Sequence, residues 1–202
     1  MLKRILFYGD SNTRGYDPRS YFGERYPEEN VWTSLLSEKL GPAYEVINQG
    51  LNGRQLPHSE YEYRHISFLM NSLGPEDTFA VMLGTNDLFL EMPPNAERPA
   101  ERMEKFLDWA VNLKKHPRLL VVAPPAIDPE ESADPVIRTF AYENTVMAEE
   151  FRKLTERFGI PFIDASGWKI DIAFDGVHFS ENGHAGFAEK MPDALRQTGI
   201  LP

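Results

Sequence analysis

The sequence predicts an α/β protein in which a parallel sheet lies between two layers of helices. Short apolar runs, typical of strands, alternate along the chain with longer segments of helical periodicity. The strand-like runs are apolar at nearly every position, which indicates burial on both faces, as in a parallel sheet covered by helices. Right-handed crossovers then give a three-layer α/β/α sandwich. Small or polar residues follow at least four of the runs, so these turns are expected to meet at one edge of the sheet.

Five segments are predicted to be strands, because each is a short apolar run bounded by Gly, Pro or polar residues. The first run ends at Gly9, which permits a tight turn, and the third ends at Gly84. In chain order the predicted strands cover residues 3–8, 44–48, 79–83 and 119–123, and a fifth begins within 161–164.

Helices are predicted between the strands, where apolar residues recur every three or four positions and Gly or Pro ends the pattern. In the first of them, Trp32, Leu35 and Leu36 share one face, and Gly41 follows. In chain order the predicted helices cover residues 30–40, 60–73, 100–115, 135–158 and 182–197. The proline-rich segment 90–99 and the acidic segment 126–134 are predicted to be loops.

Composition narrows the class of protein. The chain has 202 residues, enough for a single domain (1–202) with a sizeable core. A net charge of −10 argues against nucleic acid and anionic membranes as partners. The sequence has no secretory or membrane-spanning apolar segment, so a cytoplasmic location is expected. Cysteine is absent and neither a P-loop nor a dinucleotide-binding motif occurs, so we expect no cofactor and no metal.

Ser11 is the first candidate for chemistry, because it lies just past the first predicted strand, where open α/β sheets bind ligands. A serine nucleophile needs a base, a group that orients the base, and donors for the oxyanion. Among the five histidines, His178 is the best candidate base, since Asp175 lies three residues before it and can orient the imidazole. Gly53 and Asn86 end the turns after the second and third strands, and together with the Ser11 N–H they are candidate oxyanion donors.

Four blocks of the sequence resemble those of the SGNH (GDSL-type) hydrolases, in the order and at the spacing usual for that family. The blocks are Gly9-Asp10-Ser11-Asn12, Asn48-Gln49-Gly50-Leu51-Asn52-Gly53, Gly84-Thr85-Asn86-Asp87 and Asp175-Gly176-Val177-His178. The resemblance spans nearly the whole chain and implies a flavodoxin-like, five-stranded parallel sheet and a serine esterase. It implies a triad of Ser11, His178 and Asp175, and an oxyanion hole formed by Ser11, Gly53 and Asn86.

Asn12 stands where the common form of the family has leucine. Together with Thr13, Gly15 and the Ala-Pro-Pro sequence at 123–125, it resembles the branch that contains arylesterases and acyltransferases. The resemblance therefore implies a small-molecule ester with a short acyl chain, which is hydrolysed or transferred. Several members of this branch are oligomers, so a homo-oligomer is a further expectation, with 90–99 and 126–134 as candidate contact loops.

The acyl pocket is expected to come from loops at the same edge of the sheet. Its predicted lining is Tyr16, Leu51, Leu88, Phe89, Pro125, Ile127, Phe174 and Val177. If Leu88, Phe89 and Phe174 crowd the serine, only short acyl groups fit. Asp10 and Asp87 are predicted to brace turns by hydrogen bonding and not to act as acids.

Other functions remain open at this point. A carbohydrate acetyl esterase is favoured by aromatic residues predicted outside the core that could stack on sugar, namely Tyr21, Tyr61, Tyr63 and Trp168. A non-catalytic ligand-binding module would be expected to lack part of the triad, and a nucleotide-binding protein would need a Gly-rich phosphate loop. The sequence does not determine the natural substrate or the balance between hydrolysis and acyl transfer.

Overall fold

The computed structural model describes residues 2–90, 92–127 and 135–202. At its centre is a five-stranded, all-parallel sheet with the strand order β2-β1-β3-β4-β5. The strands are β1 (Lys3–Gly9), β2 (Tyr44–Gly50), β3 (Thr78–Met82), β4 (Arg118–Ala123) and β5 (Phe162–Asp164). This order is the flavodoxin-like one, so the predicted fold class is confirmed.

Seven α-helices lie within the described ranges. Five correspond to predicted helices and differ from them by four residues or fewer at either end: α2 (Trp32–Leu40), α3 (Glu60–Asn71), α5 (Glu97–Val111), α6 (Pro135–Phe158) and α7 (Glu181–Gln197). The other two, α1 (Ser11–Arg14) and α4 (Thr85–Leu88), were not predicted. Both are single turns that follow strand ends, and four residues are too few to show a helical period.

The helices cover the two faces of the sheet with separate cores. Alternate residues of β1 point to opposite faces, so Leu6 and Tyr8 pack with α3, α5 and α6, whereas Ile5 and Phe7 pack with α2 and α7. The predicted three-layer arrangement is therefore observed. No described helix is both long and apolar enough to cross a membrane.

The strand register gathers the polar turns at one edge of the sheet. Gly9 pairs with Gly50 on one side and with Met82 on the other, so β1, β2 and β3 end at nearly the same level. Glycine is required at the first two of these positions because α1 packs directly on the strand ends. A Cβ atom on Gly9 would lie 2.0 Å from the Thr13 hydroxyl, and one on Gly50 would lie 2.1 Å from the backbone nitrogen of Arg14.

Of the two predicted loops, one is shorter in the structure and the other lies mostly outside the described residues. The loop at 90–99 is shorter than predicted, because α5 already begins at Glu97. Pro99 lies in its first turn, where a missing N–H removes no intrahelical hydrogen bond. Of the other predicted loop, 126–134, residues 128–134 lie outside the described residues.

Candidate active site

Ser11 is the first residue of α1, immediately after the N-cap Asp10. The Asp10 carboxylate accepts a hydrogen bond from the Asn12 N–H at 3.0 Å, which fixes the turn between β1 and α1. The first N–H groups of a helix have no partner within it. The Ser11 N–H is therefore able to donate to a ligand atom beside its own hydroxyl.

Ser11, His178 and Asp175 form a continuous hydrogen-bonded chain. The Ser11 Oγ lies 3.0 Å from His178 Nε2, and His178 Nδ1 lies 2.6 Å from Asp175 Oδ2. The second carboxylate oxygen of Asp175 accepts the backbone N–H groups of Val177 and His178, both at 3.0 Å. Tertiary folding thus brings together the three residues predicted as a triad, although Ser11 and His178 are 167 positions apart.

The environment of Asp175 keeps its carboxylate ionised. Partial burial raises the pKa, but the hydrogen bonds from the His178 ring and from two backbone N–H groups outweigh it, and the net pKa lies below its ordinary value. An ionised carboxylate accepts a hydrogen bond from the Nδ1–H group, which leaves Nε2 free to accept the Ser11 hydroxyl proton. The Tyr16 ring also contacts His178, with the two ring centres 4.6 Å apart.

Gly53 and Asn86 are linked beside the end of β1. The turn that contains Gly53 is held on Gly9, whose carbonyl accepts the Leu51 N–H at 3.1 Å and the Arg54 guanidinium at 2.9 Å. The Asn86 side-chain amide donates to the Arg54 carbonyl at 3.1 Å. Over the described ranges, no protein acceptor is found for the Gly53 N–H. One amide hydrogen of Asn86 and the Gly53 N–H can therefore donate to an oxygen atom near Ser11.

Asp10 and Asp87 hold turns in place, as predicted. Asp10 caps α1, and burial raises its pKa to about 6. Asp87 is fully enclosed, where it accepts the Leu56 N–H at 3.0 Å and a charged hydrogen bond from Arg102 at 2.6 Å. Burial also raises the pKa of Asp87, against the lowering effect of these hydrogen bonds. Both carboxylates point into the scaffold and make structural hydrogen bonds there.

Several residues predicted to line the acyl pocket belong to the core instead. Leu88 is 0% exposed, and Ile127 and Pro125 are also buried. Leu88 and Ile127 belong to the core on the α3–α5–α6 side of the sheet. Leu88 is buried because it lies on the inner side of the short helix α4.

The other predicted pocket residues lie nearer the surface. Tyr16 and Val177 lie beside His178, by ring contact and by sequence. Leu51 and Phe174 are largely exposed, and Phe89 is half-buried, with its ring 4.4 Å from that of Phe140. These residues remain candidates for contact with a substrate.

A cleft of about 550 Å³ adjoins Gly53, between its turn and the start of α3. The sequence did not predict it, nor the role of Arg54 in it. The Arg54 guanidinium lies 4.0 Å from the Tyr8 ring centre, and burial lowers the pKa of Arg54. In the sequence, the basic residue directly after the predicted oxyanion turn could have indicated this role. Polar side chains dominate the lining, which consists of Tyr8, Leu51, Asn52, Gly53, Arg54, Gln55, His58, Ser59, Tyr61, Glu62 and His65.

Of the aromatic residues considered for sugar stacking, only Tyr61 lies in this cleft, among the described residues. Tyr63 packs against Trp109, with ring centres 4.9 Å apart, and Trp168 packs against Phe187 at 5.1 Å. Tyr21 is exposed beside Phe22 on the loop between α1 and α2. Within the same described ranges, no group of three or more His, Asp or Glu side chains is placed to hold a metal ion.

Comparison with known proteins agrees with the resemblance noted in the sequence. The family model described as the GDSL-like lipase/acylhydrolase family matches residues 7–185. The native aryl esterase of M. smegmatis is a similar structure, with 26% identity, a TM-score of 0.80, and coverage of 97% of this chain and 99% of the other. A putative arylesterase from Agrobacterium tumefaciens str. C58 has 26% identity, a TM-score of 0.79, and coverage of 99% and 100%.

A carbohydrate acetylesterase family member from Sinorhizobium meliloti shares the fold, with 24% identity, a TM-score of 0.82, and coverage of 99% of this chain and 100% of the other. No protein with a curated functional description matches the chain. Because the family model spans most of the 202 residues, the chain belongs to the GDSL-like lipase/acylhydrolase family and is an esterase-type hydrolase.

Proposed function

We propose that this protein hydrolyses short-chain carboxylic esters through an acyl-enzyme on Ser11, with His178 as base and Asp175 as its orienting group. The observation that carries the proposal is the unbroken hydrogen-bonded chain from the Ser11 hydroxyl to the Asp175 carboxylate, at 3.0 and 2.6 Å. The short acyl chain is supported by the resemblance carried by Asn12 and by the similarity to aryl esterases.

In the first half-reaction, Ser11 Oγ forms a bond to the ester carbonyl carbon while its proton moves to His178 Nε2. The carbonyl oxygen becomes an oxyanion, which accepts hydrogen bonds from the N–H groups of Ser11 and Gly53 and from the amide of Asn86. The bond to the leaving oxygen then breaks, and the proton on Nε2 passes to the departing alcohol.

In the second half-reaction, water attacks the acyl group on Ser11. His178 takes a proton from the water and returns one to Ser11 Oγ as the carboxylic acid leaves, so the enzyme is restored. An alcohol in place of water gives a new ester by the same steps. Asp175 stays ionised throughout and stabilises the imidazolium that forms twice in each cycle.

The test is a panel of p-nitrophenyl esters, from acetate to octanoate, on the wild type, Ser11→Ala and Ser72→Ala. Ser72 lies at the C-terminal end of α3, where its hydroxyl donates to the Leu69 carbonyl, so it serves as a matched serine control. We expect Ser11→Ala to reduce kcat by about 10⁴-fold or more and Ser72→Ala to retain activity. The short-chain proposal further requires that activity fall from acetate to octanoate. Equal activity in Ser11→Ala and the wild type would refute the function.

A second candidate, an esterase for hydroxyl-rich alcohols such as sugars, is favoured by the cleft beside Gly53. Nine of its eleven lining residues carry hydrogen-bonding side chains, and the exposed Tyr61 ring offers a face for stacking. A leaving alcohol in this cleft would lie next to the turn that contains the oxyanion donor.

This candidate is tested with an acetylated sugar and an aryl acetate. Tyr61→Ala should raise KM for the sugar ester by about 2- to 10-fold, the loss expected for one ring contact, and leave the aryl ester unaffected. Tyr142→Ala is the matched control, because Tyr142 is exposed to a similar extent (73% against 76%) on α6. An unchanged KM for the sugar ester in Tyr61→Ala would exclude this use of the cleft.

A further inference from the structure

The side chain of Asn12 contacts the backbone on both sides of His178. Its Nδ2 donates to the carbonyl of Val177 at 3.1 Å, and its Oδ1 accepts the N–H of Phe179 at 2.9 Å. Asn12 is 8% exposed, so these bonds face little competition from water. One amide therefore links α1, which begins at Ser11, to the loop that carries His178.

The backbone of Asn12 is itself held from two sides. Its N–H donates to the Asp10 carboxylate at 3.0 Å, and its carbonyl accepts the indole N–H of Trp32, also at 3.0 Å. Trp32 is fully buried between the sheet and α7. The amide of Asn12 thus extends from a rigid base.

The loop around His178 needs such a link to fix its distance from Ser11. Asp175 accepts the N–H groups of Val177 and His178, and the His178 carbonyl accepts the Ala173 N–H at 2.7 Å. These bonds set the shape of the loop but not its position relative to α1. Phe179, which follows His178 in the chain, is held by its buried ring. Val177, which precedes His178, is held by the hydrogen bond from Asn12.

We infer that Asn12 is a positioning residue, which fixes the loop of His178, and with it the His178 ring, relative to Ser11. The inference rests on the proposed role of His178 as base. Leucine, the common residue of the family at this position, has neither a donor nor an acceptor and cannot make either bond. In this chain, the distance between nucleophile and base is therefore set in part by a two-point amide link.

The test compares Asn12→Ala with Asn48→Ala, in steady-state hydrolysis of p-nitrophenyl acetate. Asn48 is a matched control because its amide also makes several bonds near α1, to the Thr13 carbonyl at 2.7 Å, the Thr33 hydroxyl at 2.8 Å and the Gly50 N–H at 2.9 Å, but none to the loop of His178. We expect Asn12→Ala to lower kcat by about 10- to 100-fold with little change in KM, because small misplacement of a catalytic group has effects of this size. Asn48→Ala should lower thermal stability but keep kcat per folded molecule within about threefold.

Two readouts separate positioning from a general loss of stability. In Asn12→Ala, the contact between Ser11 Oγ and His178 Nε2 should lengthen while the substrate still binds, so the loss should fall on kcat per folded molecule and not on KM. The low-field NMR signal of the Nδ1 proton of His178 should remain, because its bond to Asp175 lies within the loop. Asn12→Leu keeps most of the side-chain volume but makes neither bond, so its kcat should fall as in Asn12→Ala; this variant also serves if Asn12→Ala does not fold.

The inference fails if both Asn12 variants keep wild-type kcat, if the loss of kcat is accompanied by loss of the Nδ1 signal, or if Asn12→Ala behaves as Asn48→Ala does. Ser11→Ala in the same assay separates this result from failure of the proposed function. If Ser11→Ala is inactive while the Asn12 variants are normal, only the positioning role is refuted. If Ser11→Ala is active, the proposed function itself is refuted.

Discussion

Asp175→Asn is predicted to lower turnover greatly while it changes the stability of the fold little. In the wild type, Asp175 Oδ2 accepts the Nδ1 proton of His178 at 2.6 Å, while Oδ1 accepts two backbone N–H groups at 3.0 Å. The asparagine carbonyl oxygen can keep both backbone bonds. Its NH₂ group must then face Nδ1, which turns that ring nitrogen into an acceptor and moves the imidazole proton to Nε2.

With the proton on Nε2, His178 cannot accept the Ser11 hydroxyl proton across the 3.0 Å contact. The variant also lacks the negative charge that stabilises the imidazolium. Together these losses are expected to lower kcat by about 10⁴-fold, or about 5 kcal/mol of barrier. Because the backbone bonds persist, the free energy of unfolding should change by only about 1 kcal/mol.

The assay is p-nitrophenyl acetate hydrolysis, with urea unfolding of the same samples. Asp171→Asn is the matched control, because Asp171 lies on the same loop, is exposed, and bonds to the Ser180 hydroxyl instead of to a histidine. It removes the same charge from the same region and should keep kcat within about threefold. A kcat for Asp175→Asn within tenfold of the wild type would refute the assigned role, as would an equal loss in Asp171→Asn.

Three further outcomes are expected. Asn86→Ala should lower kcat by about 100- to 1,000-fold through loss of an oxyanion donor, and wild-type kcat in steady-state assays would remove Asn86 from that role. The pKa of Asp10 is about 6 in the folded protein, against an ordinary value of 3.8. Burial of the ionised carboxylate therefore destabilises the fold. This penalty is fully present above pH 6 and vanishes below about pH 4. Asp10→Asn, which keeps the acceptor for the Asn12 N–H, should therefore be more stable than the wild type at pH 8 by about 1–3 kcal/mol. Urea melts at pH 8 and pH 4 that show no such convergence would contradict this. Tyr16→Leu should lower kcat by about 2- to 10-fold, because the Tyr16 ring packs 4.6 Å from the His178 ring, whereas Tyr16→Phe should retain kcat; equal kcat for the two variants would exclude a role of the ring.

The regular elements were predictable because their signals are local. Apolar runs and helical periodicity gave all five strands and five of the helices. The single turns α1 and α4 were not predicted because packing on strand ends stabilises them. For α1 this packing is so close that a Cβ atom added to Gly9 would lie 2.0 Å from the Thr13 hydroxyl. Leu88 was expected at the pocket and is buried in the core, because it lies on the buried side of the short helix α4, with Thr85 and Asp87.

The sequence by itself determined the parallel sheet and the three members of the candidate triad, since strand patterns and polar turns are short-range features. Ser11, His178 and Asp175 were identified before any distance was known. Only the tertiary structure decided that Asn12 bonds to both neighbours of His178 and that Arg54 braces the turn beside the cleft. Such contacts join residues that are far apart in the chain, and their geometry follows from the packing of the whole sheet and its helices.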